Sequence, residues 1–469
     1  MVFSSATFLF VFLPLTLMVY HVINDSLKNY WLLFVSLLFF AWSQPQYWWI
    51  ILISVAINYV SAMLIYVRKS KVILVVAVIL NLLLLFYFKY FNFFIDTIDL
   101  VFSTNIVIDQ IILPVGISFF TFQGMSYVID VYRGTVGVQK NPVKVALYIM
   151  LFPQLVAGPI VRYADIESEI SSRKVTVSDF EEGVTRFIIG LGKKAIIANS
   201  MAEIVDPIWK AGVDNNTIAI AWAGSIAYSL QIFYDFSGYS DMAIGIGRML
   251  GFHFNENFNF PYISTSITEF WRRWHISLST WFRDYVYIPL GGNRKNLYRN
   301  LIIVFLLTGL WHGASWTFIL WGAWNAAFIV GERLLRSRTD QKKGSSVIFY
   351  KSVASHIYAL FVINIGWVLF RADNVGTALR YIGTMFGVGL GKMPGFTLGW
   401  YINNWNIFIT IVAILLATSL PTKVRDIIKA HMPENLYLIC RNVLTYCVLL
   451  LGAMRIFSST YNPFIYFQF

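Results

Sequence analysis

The chain has 469 residues, of which 58% are hydrophobic and 13% are charged, and its formal net charge is +12. This composition excludes an ordinary soluble domain. It predicts a membrane protein whose positive charge lies in cytoplasmic loops, with no role in binding nucleic acid. Aromatic residues make up 17% of the chain and include 16 tryptophans, as expected of belts at both membrane interfaces.

The first hundred residues are apolar segments joined by short polar loops. Residues 8–23 lack a basic start and a small-residue cleavage site, so we expect a retained membrane segment and not a signal peptide. Residues 30–42 and 47–67 form the next two predicted segments. Residues 72–88 then return across the membrane, and we expect this segment to end at Lys89.

Two later apolar segments, 111–129 and 148–161, are interrupted by residues that break helices. The interruptions are Pro114 and Gly116 in the first, and Pro153, Gly158 and Pro159 in the second. Irregular backbone at membrane depth is tolerated only where it is buried in protein or lines a cavity. We therefore expect both segments to border a central funnel, as re-entrant pieces.

The next stretch is the most acidic of the chain. Residues 163–179 (YADIESEISSRKVTVSD) are interpreted as a solvated loop without a site, and His253 as a surface residue. Residues 217–236 predict another crossing, which leads into Asp235 and Asp241. We expect these carboxylates to form a polar network with the arginines of 272–283. A metal site is the alternative, but a carboxylate pair lacks the ligands that calcium or zinc needs, so none is assigned.

Residues 268–331 hold the densest group of polar residues beside apolar segments. If residues 269–286 form one helix, then four polar side chains share a stripe that is flanked by tryptophan and tyrosine. These four are Arg272, His275, Ser279 and Arg283. Such a helix suits the headgroup level or the wall of a cavity, and a purely anchoring interfacial helix is the alternative.

Residues 302–330 predict a single membrane-spanning helix, since the stretch is uncharged apart from any charge on His312 and exceeds the about 20 residues that a crossing needs. An ionisable group at that depth usually faces a cavity or a partner, and it marks function by default. The alternative is a histidine that only forms hydrogen bonds between packed helices.

The remaining chain predicts a basic cytoplasmic loop at 332–351 and three crossings, at 356–370, 405–420 and 436–457. Together these segments predict an all-α polytopic membrane protein with roughly ten to thirteen transmembrane or re-entrant helices around a central funnel or tunnel. We expect one domain over residues 1–469, with a catalytic core at about 230–331. No phosphate-binding loop, dinucleotide-binding motif or nucleophile elbow occurs in the sequence.

The segment FWRRWHISLSTWFRDYVYIPLGGNR, followed by LTGLWHGASWTFILWG, resembles the membrane-bound O-acyltransferase (MBOAT) family, in particular its bacterial alginate O-acetylase branch. Other stretches are similar to the family's pattern in the same order. These are MVFSSATFLFVFLPL, LPVGISFFTFQGMSYVIDVYRG, LFPQLVAGPIVRY, YDFSGYSDMAIGIGRMLGF, WVLFRA and NPFIYFQF. The resemblance therefore extends over most of the chain.

The resemblance implies acyl transfer across the bacterial cell inner membrane. The expected donor is cytoplasmic acetyl-coenzyme A, with an acyl carrier protein as the alternative, and no cofactor is expected to stay bound. The expected acceptor is a cell-envelope polysaccharide, alginate first and peptidoglycan or another exopolysaccharide second. Expected partners are membrane lipids and a periplasmic protein that completes the transfer. Also left open are D-alanyl transfer and, in a different class of protein, a polytopic transporter or flippase.

The family's motif histidines correspond to His312 and His275, which the resemblance makes the catalytic candidates. We expect neutral His312 to act as the base, and His275 with Arg272 to position the substrate or stabilise charge. The residues expected to bind substrate by shaping the tunnel are Trp311, Trp316 and Gly309. Many relatives carry a second histidine where this chain has Asn325, so a role of that histidine does not carry over.

Overall fold

The computed structural model describes residues 1–155, 158–340, 353–389, 396–458 and 464–465. Helices are the only regular secondary structure in these ranges. This finding confirms the prediction of an all-α membrane protein.

The helices follow one another with short connections. The first eleven are α1 (Leu13–Val22), α2 (Asp25–Ser43), α3 (Trp48–Arg68), α4 (Lys71–Leu85), α5 (Phe91–Phe102), α6 (Ile117–Arg133), α7 (Pro142–Met150), α8 (Phe152–Leu155), α9 (Tyr163–Ser171), α10 (Val177–Gly192) and α11 (Asn199–Lys210). The others are α12 (Ile218–Met249), α13 (Ile267–Arg273), α14 (Ile276–Phe282), α15 (Leu297–His312), α16 (Trp316–Asp340), α17 (Val353–Arg371), α18 (Val375–Met385), α19 (Leu398–Tyr401), α20 (Asn404–Leu416), α21 (Leu420–His431) and α22 (Glu434–Ser458).

Four helical stretches in the described ranges are long and apolar enough to cross a membrane, or five if a pair bent by 72° counts as one span. The four are Trp48–Arg68, Lys71–Phe102, Val353–Arg371 and Glu434–Ser458, and the bent pair is Asn404–Leu416 with Leu420–His431. Shorter apolar helices at Phe8–Val22 and Leu297–His312 lie outside this set. The larger number of membrane segments, and the funnel, therefore stay predictions.

The contacts divide the chain into two compact units, and the first contains residues 1–190 and 239–256. Within it, α3 packs against α4 and α6. The buried amides of Asn58 and Asn81 donate to each other's side-chain oxygens at 3.1 Å. A Cβ at Gly124 would lie 2.2 Å from Asn58 Nδ2, so only glycine lets α6 approach this amide pair.

Two predictions for this unit are wrong, one about where a segment ends and one about a loop. The apolar segment after Lys71 continues beyond Lys89 through a π-helical turn and α5, and Lys89 is buried with its ammonium 3.1 Å from Ser118 Oγ. The acidic stretch after Tyr163 contains helix α9 instead of an open loop, because Tyr163, Ile166 and Ile170 are buried on one face. The breaks before Ile117 and after Met150 occur as expected.

The charged pairs of the first unit also differ from the expected network. Asp241 of α12 is buried and pairs with Arg186 of α10, whose Nε lies 2.9 Å from Asp241 Oδ1. The same guanidinium lies 2.6 Å from Glu256 Oε2. Asp241 therefore has a partner on α10, and the expected pairing with the arginines of 272–283 is wrong for it. His253 is exposed as predicted, with Nδ1 2.7 Å from Glu169 Oε1.

The second unit contains residues 191–238 and 257–465. Its Asp235, on α12, pairs with Lys194 of a π-helical turn, and both side chains are buried. The backbone N–H of Ile465 also donates to Asp235 at 2.7 Å. The expected pairing with the 272–283 arginines is therefore wrong for Asp235 as well, because a lysine closer in the fold neutralises it.

The predicted single crossing at 302–330 is a hairpin of α15 and α16, broken at residues 313–315. The two helices lie so close that a Cβ at Gly309 would sit 2.2 Å from the carbonyl oxygen of Phe318. A Cβ at Gly322 would sit 2.4 Å from the carbonyl oxygen of Phe305. Glycines at both positions allow this approach, which a continuous helix could not make.

The expected basic loop at 332–351 begins inside α16, whose last residue is Asp340. Glu332 on this helix is buried and accepts hydrogen bonds from the backbone N–H groups of Ile267 and Thr268 at 2.6 and 3.1 Å. Its charge thereby satisfies free donors at the start of α13. Residues 341–351 of the expected loop lie outside the described residues.

Candidate active site

The segment expected to form one helix over 269–286 is interrupted at His275. Helix α13 begins after Ser266, whose hydroxyl accepts from Glu269 N–H at 3.1 Å. His275 then adopts a left-handed backbone conformation with φ 44°, which costs a non-glycine residue roughly 1–2 kcal/mol. The predicted polar stripe through 272–283 is therefore wrong, because the chain changes direction within it.

A non-helical segment at 257–259 explains the interruption. The carbonyl of Asn257 accepts from Ile276 N–H at 2.9 Å, and Asn259 N–H donates to the carbonyl of Arg273 at 2.9 Å. These bonds take backbone groups that an uninterrupted helix would use itself. The result is a fixed corner that carries His275.

The imidazole of His275 is fully buried. Its Nδ1 lies 3.1 Å from Asn257 Oδ1, and the edge of Phe236 contacts its ring at a centroid distance of 4.6 Å. His275 lies outside the four candidate membrane spans, and burial lowers the pKa of its imidazole to about 3. The ring is therefore neutral at physiological pH.

His312 lies at the end of α15, and 4% of its surface is exposed. Aromatic rings surround it, with centroid distances of 5.0 Å to Trp311, 5.1 Å to Trp321 and 5.2 Å to Phe370. The His275 ring lies 6.5 Å away. The structure thus brings the two motif histidines, 37 positions apart in sequence (312 minus 275), into one aromatic pocket.

The other predicted site residues lie at different places. Trp311 is buried, with its ring 5.8 Å from the His275 ring, so it belongs to the same pocket. Arg272 is exposed, and Trp316 at the start of α16 is 49% exposed. Gly309 lies one turn before His312 against the backbone of α16. The substrate-binding roles of these four residues stay predictions.

Asn325 is buried and joins two tryptophans of this unit by hydrogen bonds. It is the position at which the chain departs from many relatives. Its side-chain oxygen accepts from Trp271 Nε1 at 3.0 Å, and its Nδ2 donates to the carbonyl of Trp321 at 2.8 Å. Trp321 in turn contacts His312. Asn325 therefore holds a wall of the histidine pocket in place and does not contribute an ionisable group.

Sequence reasoning missed the side chains that hold the two histidines in place. Asn257, Phe236 and Phe370 were not singled out, although Asn257 lies in the aromatic and asparagine-rich stretch before Pro261. No local pattern predicts which asparagine meets a histidine 18 positions later. Across the described ranges, no group of three or more histidine, cysteine or acidic residues could hold a metal ion.

Comparisons with known proteins agree with these features. A profile of the membrane-bound O-acyltransferase family matches residues 136–370, which include both histidines. The chain is 39% identical to a probable alginate O-acetylase of Azotobacter vinelandii, over all of both chains. It is 43% identical to a protein with the same printed description from Pseudomonas aeruginosa, over 84% of this chain and 76% of the relative. It is also 32% identical to a peptidoglycan O-acetyltransferase of Helicobacter pylori, over 100% of this chain and 98% of the relative. The chain therefore belongs to the membrane-bound O-acyltransferase family and is a multi-pass membrane O-acyltransferase.

Proposed function

We propose that this enzyme moves an acetyl group from cytoplasmic acetyl-coenzyme A across the bacterial inner membrane for O-acetylation of a cell-envelope polysaccharide, alginate first. The probable alginate O-acetylases among its relatives, 39% and 43% identical, support this acceptor. The observation that carries the proposal is the buried pair of motif histidines in one aromatic pocket, with ring centroids 6.5 Å apart.

In this proposal His312 is the general base. The acceptor hydroxyl oxygen attacks the thioester carbonyl carbon while the hydroxyl proton passes to a ring nitrogen of His312. Collapse of the tetrahedral intermediate breaks the carbon–sulfur bond, and the proton from His312 goes to the departing thiolate. The products are an acetyl ester and free coenzyme A, so no oxidant or further reactant is needed.

The surroundings of His312 suit this role. Trp311, Trp321 and Phe370 contact the ring and leave it almost no exposure to water. Exclusion of water also protects a thioester from hydrolysis, which would waste the donor. Trp311 lies beside both histidine rings, and in this proposal it fixes the direction from which the acyl group arrives.

The acceptor side of the reaction is expected to involve a second protein. We propose that a periplasmic partner completes the transfer to the polysaccharide, while this chain stays surrounded by membrane lipids. Exposed apolar side chains along α4 and α22 fit lipid contact, for example Val72 and Leu444 at 71% and 66% exposure.

Peptidoglycan is the second candidate acceptor, since a peptidoglycan O-acetyltransferase matches nearly the full length of both chains. Another exopolysaccharide, or D-alanyl transfer from a carrier protein, would use the same base and a different donor or acceptor. A transporter or flippase needs no acyl donor. Membership of an acyltransferase family favours the enzyme over that class.

The first test measures acetyl release from labelled acetyl-coenzyme A by purified protein in nanodiscs. We compare wild type with His312→Ala, and with His431→Ala as a matched control, because His431 is exposed and its only hydrogen bond in the described part of the chain is to the carbonyl of Ile427. We expect loss of at least about 100-fold in His312→Ala, the scale of general-base catalysis, and normal turnover in the control.

Each result has a distinct meaning. Equal turnover in wild type and His312→Ala would make His312 a packing residue and overturn the proposal. No turnover in any of the three proteins would mean that the donor or a required partner has been misjudged, and the assay is then repeated with an acylated carrier protein. Alginate and peptidoglycan fragments, supplied separately, distinguish the two acceptors.

A further inference from the structure

One amide oxygen organises the corner at His275. Asn257 Oδ1 lies 3.3 Å from Ser277 N, 2.9 Å from Ser277 Oγ and 3.1 Å from His275 Nδ1. Asn257 itself is 1% exposed, and its backbone carbonyl accepts from Ile276 N–H in the same corner. The side chain and the backbone of one asparagine therefore hold three successive residues.

The orientation of this amide follows from its partners. The backbone N–H of Ser277 can only donate, so the Asn257 atom that faces it must be the oxygen and not the nitrogen. The same oxygen faces His275 Nδ1, so Nδ1 must carry the hydrogen. A neutral imidazole carries one ring hydrogen, and Nε2 of His275 is therefore a hydrogen-bond acceptor.

His275 Nε2 is buried and has no hydrogen-bond partner among the described residues. A buried acceptor without a donor is costly, so a donor is expected at this atom in the working enzyme. The position of the atom is significant because the His275 ring lies 6.5 Å from that of His312 and 5.8 Å from that of Trp311. The ring that carries this acceptor therefore lies beside His312 and Trp311.

We propose that Asn257 is a positioning residue that holds His275 in the Nδ1–H tautomer, so that Nε2 accepts a hydrogen bond from a hydroxyl of the acceptor substrate. This inference rests on the proposed acyltransferase function. The attacking hydroxyl gives its only proton to His312, so the hydroxyl bound by His275 is a second one. A sugar ring carries such a second hydroxyl beside the first, so the inference concerns a polysaccharide hydroxyl that enters this site. A partner protein that took the acetyl group first would have to supply a second donor of its own.

The tautomer also separates two roles for His275. An oxyanion is itself an acceptor, and it gains nothing from the lone pair of Nε2. His275 in this tautomer therefore binds and orients a donor, and it does not stabilise the developing negative charge. Asn257 acts through His275 and need not touch the substrate.

The direct test is nitrogen NMR of protein labelled with 15N-histidine, with the His275 signals assigned by their loss in His275→Gln. We expect a protonated Nδ1 and an unprotonated Nε2 in wild type. Asn257→Leu should lose this preference and show a mixture of tautomers. Ser277→Ala is the comparison variant, because it removes a hydroxyl that lies 2.9 Å from the same oxygen and 3.4 Å from Nδ1, and it leaves the bond between Asn257 Oδ1 and Nδ1 in place.

The kinetic test uses Asn257→Asp, which keeps an accepting oxygen at the same place. The added negative charge stabilises the imidazolium and raises the pKa of His275. On lowering the pH, Nε2 is therefore protonated at a higher pH than in wild type. We expect the acidic limb of the rate profile to move to higher pH. In Asn257→Leu, kcat/KM for the hydroxyl acceptor should fall about tenfold, mostly through KM, while Ser277→Ala stays within about twofold.

Each of the two tests can overturn the inference by itself. An Nε2–H tautomer in wild type, or an unchanged tautomer in Asn257→Leu, would overturn the inference whether or not the protein turns over acetyl-coenzyme A. A normal tautomer shift without any change in KM or in the pH profile would show that the tautomer has no part in substrate binding, which also overturns it. Failure of His312→Ala to lose activity would instead count against the proposed function.

Discussion

Replacing Gly309 with alanine should separate the α15–α16 hairpin and displace His312. A Cβ at this position would lie 2.2 Å from the carbonyl oxygen of Phe318 and 3.1 Å from its carbonyl carbon, whereas ordinary contact begins at 3.4 Å. Both obstructing atoms belong to the backbone, so no side-chain rotation relieves the overlap. The distance from the added Cβ to the Phe318 oxygen falls short of ordinary contact by 3.4 minus 2.2 Å, so the two helices must move apart by about 1 Å.

The consequences for stability and activity differ in size. Overpacking of this kind costs about 1–3 kcal/mol of unfolding free energy. A displacement of about 1 Å at a catalytic group lowers the rate by about 100-fold, and His312 lies only three residues beyond Gly309 on the same helix. We therefore expect activity to fall much more than stability does.

The matched control is Gly331→Ala on α16, because a Cβ there meets nothing within 4 Å. Alanine favours helix over glycine, so this variant should be neutral or stabilised by up to about 1 kcal/mol. Denaturation in detergent and turnover of labelled acetyl-coenzyme A provide the two readouts. Wild-type stability and activity in Gly309→Ala would refute the reasoning from backbone contact. A raised KM for the donor at unchanged stability would favour the predicted tunnel wall instead.

Two further predictions concern buried polar contacts in the second unit. Lys194→Met should destabilise the protein by about 3–5 kcal/mol because it leaves Asp235 buried without its cation, and Lys194→Met with Asp235→Leu should recover part of that loss in detergent denaturation. Asn325→Leu removes the acceptor of Trp271 Nε1 and should lower stability by about 1–3 kcal/mol. An activity loss in Asn325→Leu that exceeds the loss of Trp271→Phe would show that Asn325 also acts on Trp321, whereas equal losses would limit it to the Trp271 contact.

The sequence predicts the membrane class and the helix interruptions marked by proline or glycine. Pro114 and Gly116 precede α6, and Gly116 has φ 78°, a conformation that favours glycine. The motif histidines were also identified from the sequence, and the structure places them in one pocket. These successes share a cause, since each depends on a local residue type or on a motif of adjacent positions.

Interruptions without a proline could not be predicted in the same way. Residues 302–330 are uncharged apart from any charge on His312, and the contacts between Gly309 and Phe318 and between Gly322 and Phe305 distinguish a hairpin from one long helix. The turn contains two local signals, since Gly313 ends α15 and Ser315 Oγ accepts from Thr317 N–H at 3.3 Å. Those signals are too weak to outweigh an apolar run of this length.

The corner at His275 has only a weak local signal. Histidine takes a positive φ more often than most residues other than glycine, but such backbone is still uncommon for it, and helix propensity favours continuation from Trp274 into Ile276. The backbone bonds from residues 257 and 259 override that preference. The ion partners of Asp235 and Asp241 were mispredicted for a related reason, because Lys194 and Arg186 are separated from them by 41 and 55 positions (235 minus 194, and 241 minus 186).

Both motif histidines lie where a helix ends, and in each case backbone contacts fix the end. His312 closes α15 beside the glycine contacts of the hairpin, and His275 forms the corner bonded to Asn257. Helix ends free a residue from the helical hydrogen-bond pattern, so its side chain can be aimed independently of the helix face. Because main-chain atoms make these contacts, side-chain changes in the pocket wall should alter substrate preference without moving the two histidine rings relative to each other. Changes at Gly309 or Asn257 should instead alter the relative position of the two rings, whichever polysaccharide is the acceptor.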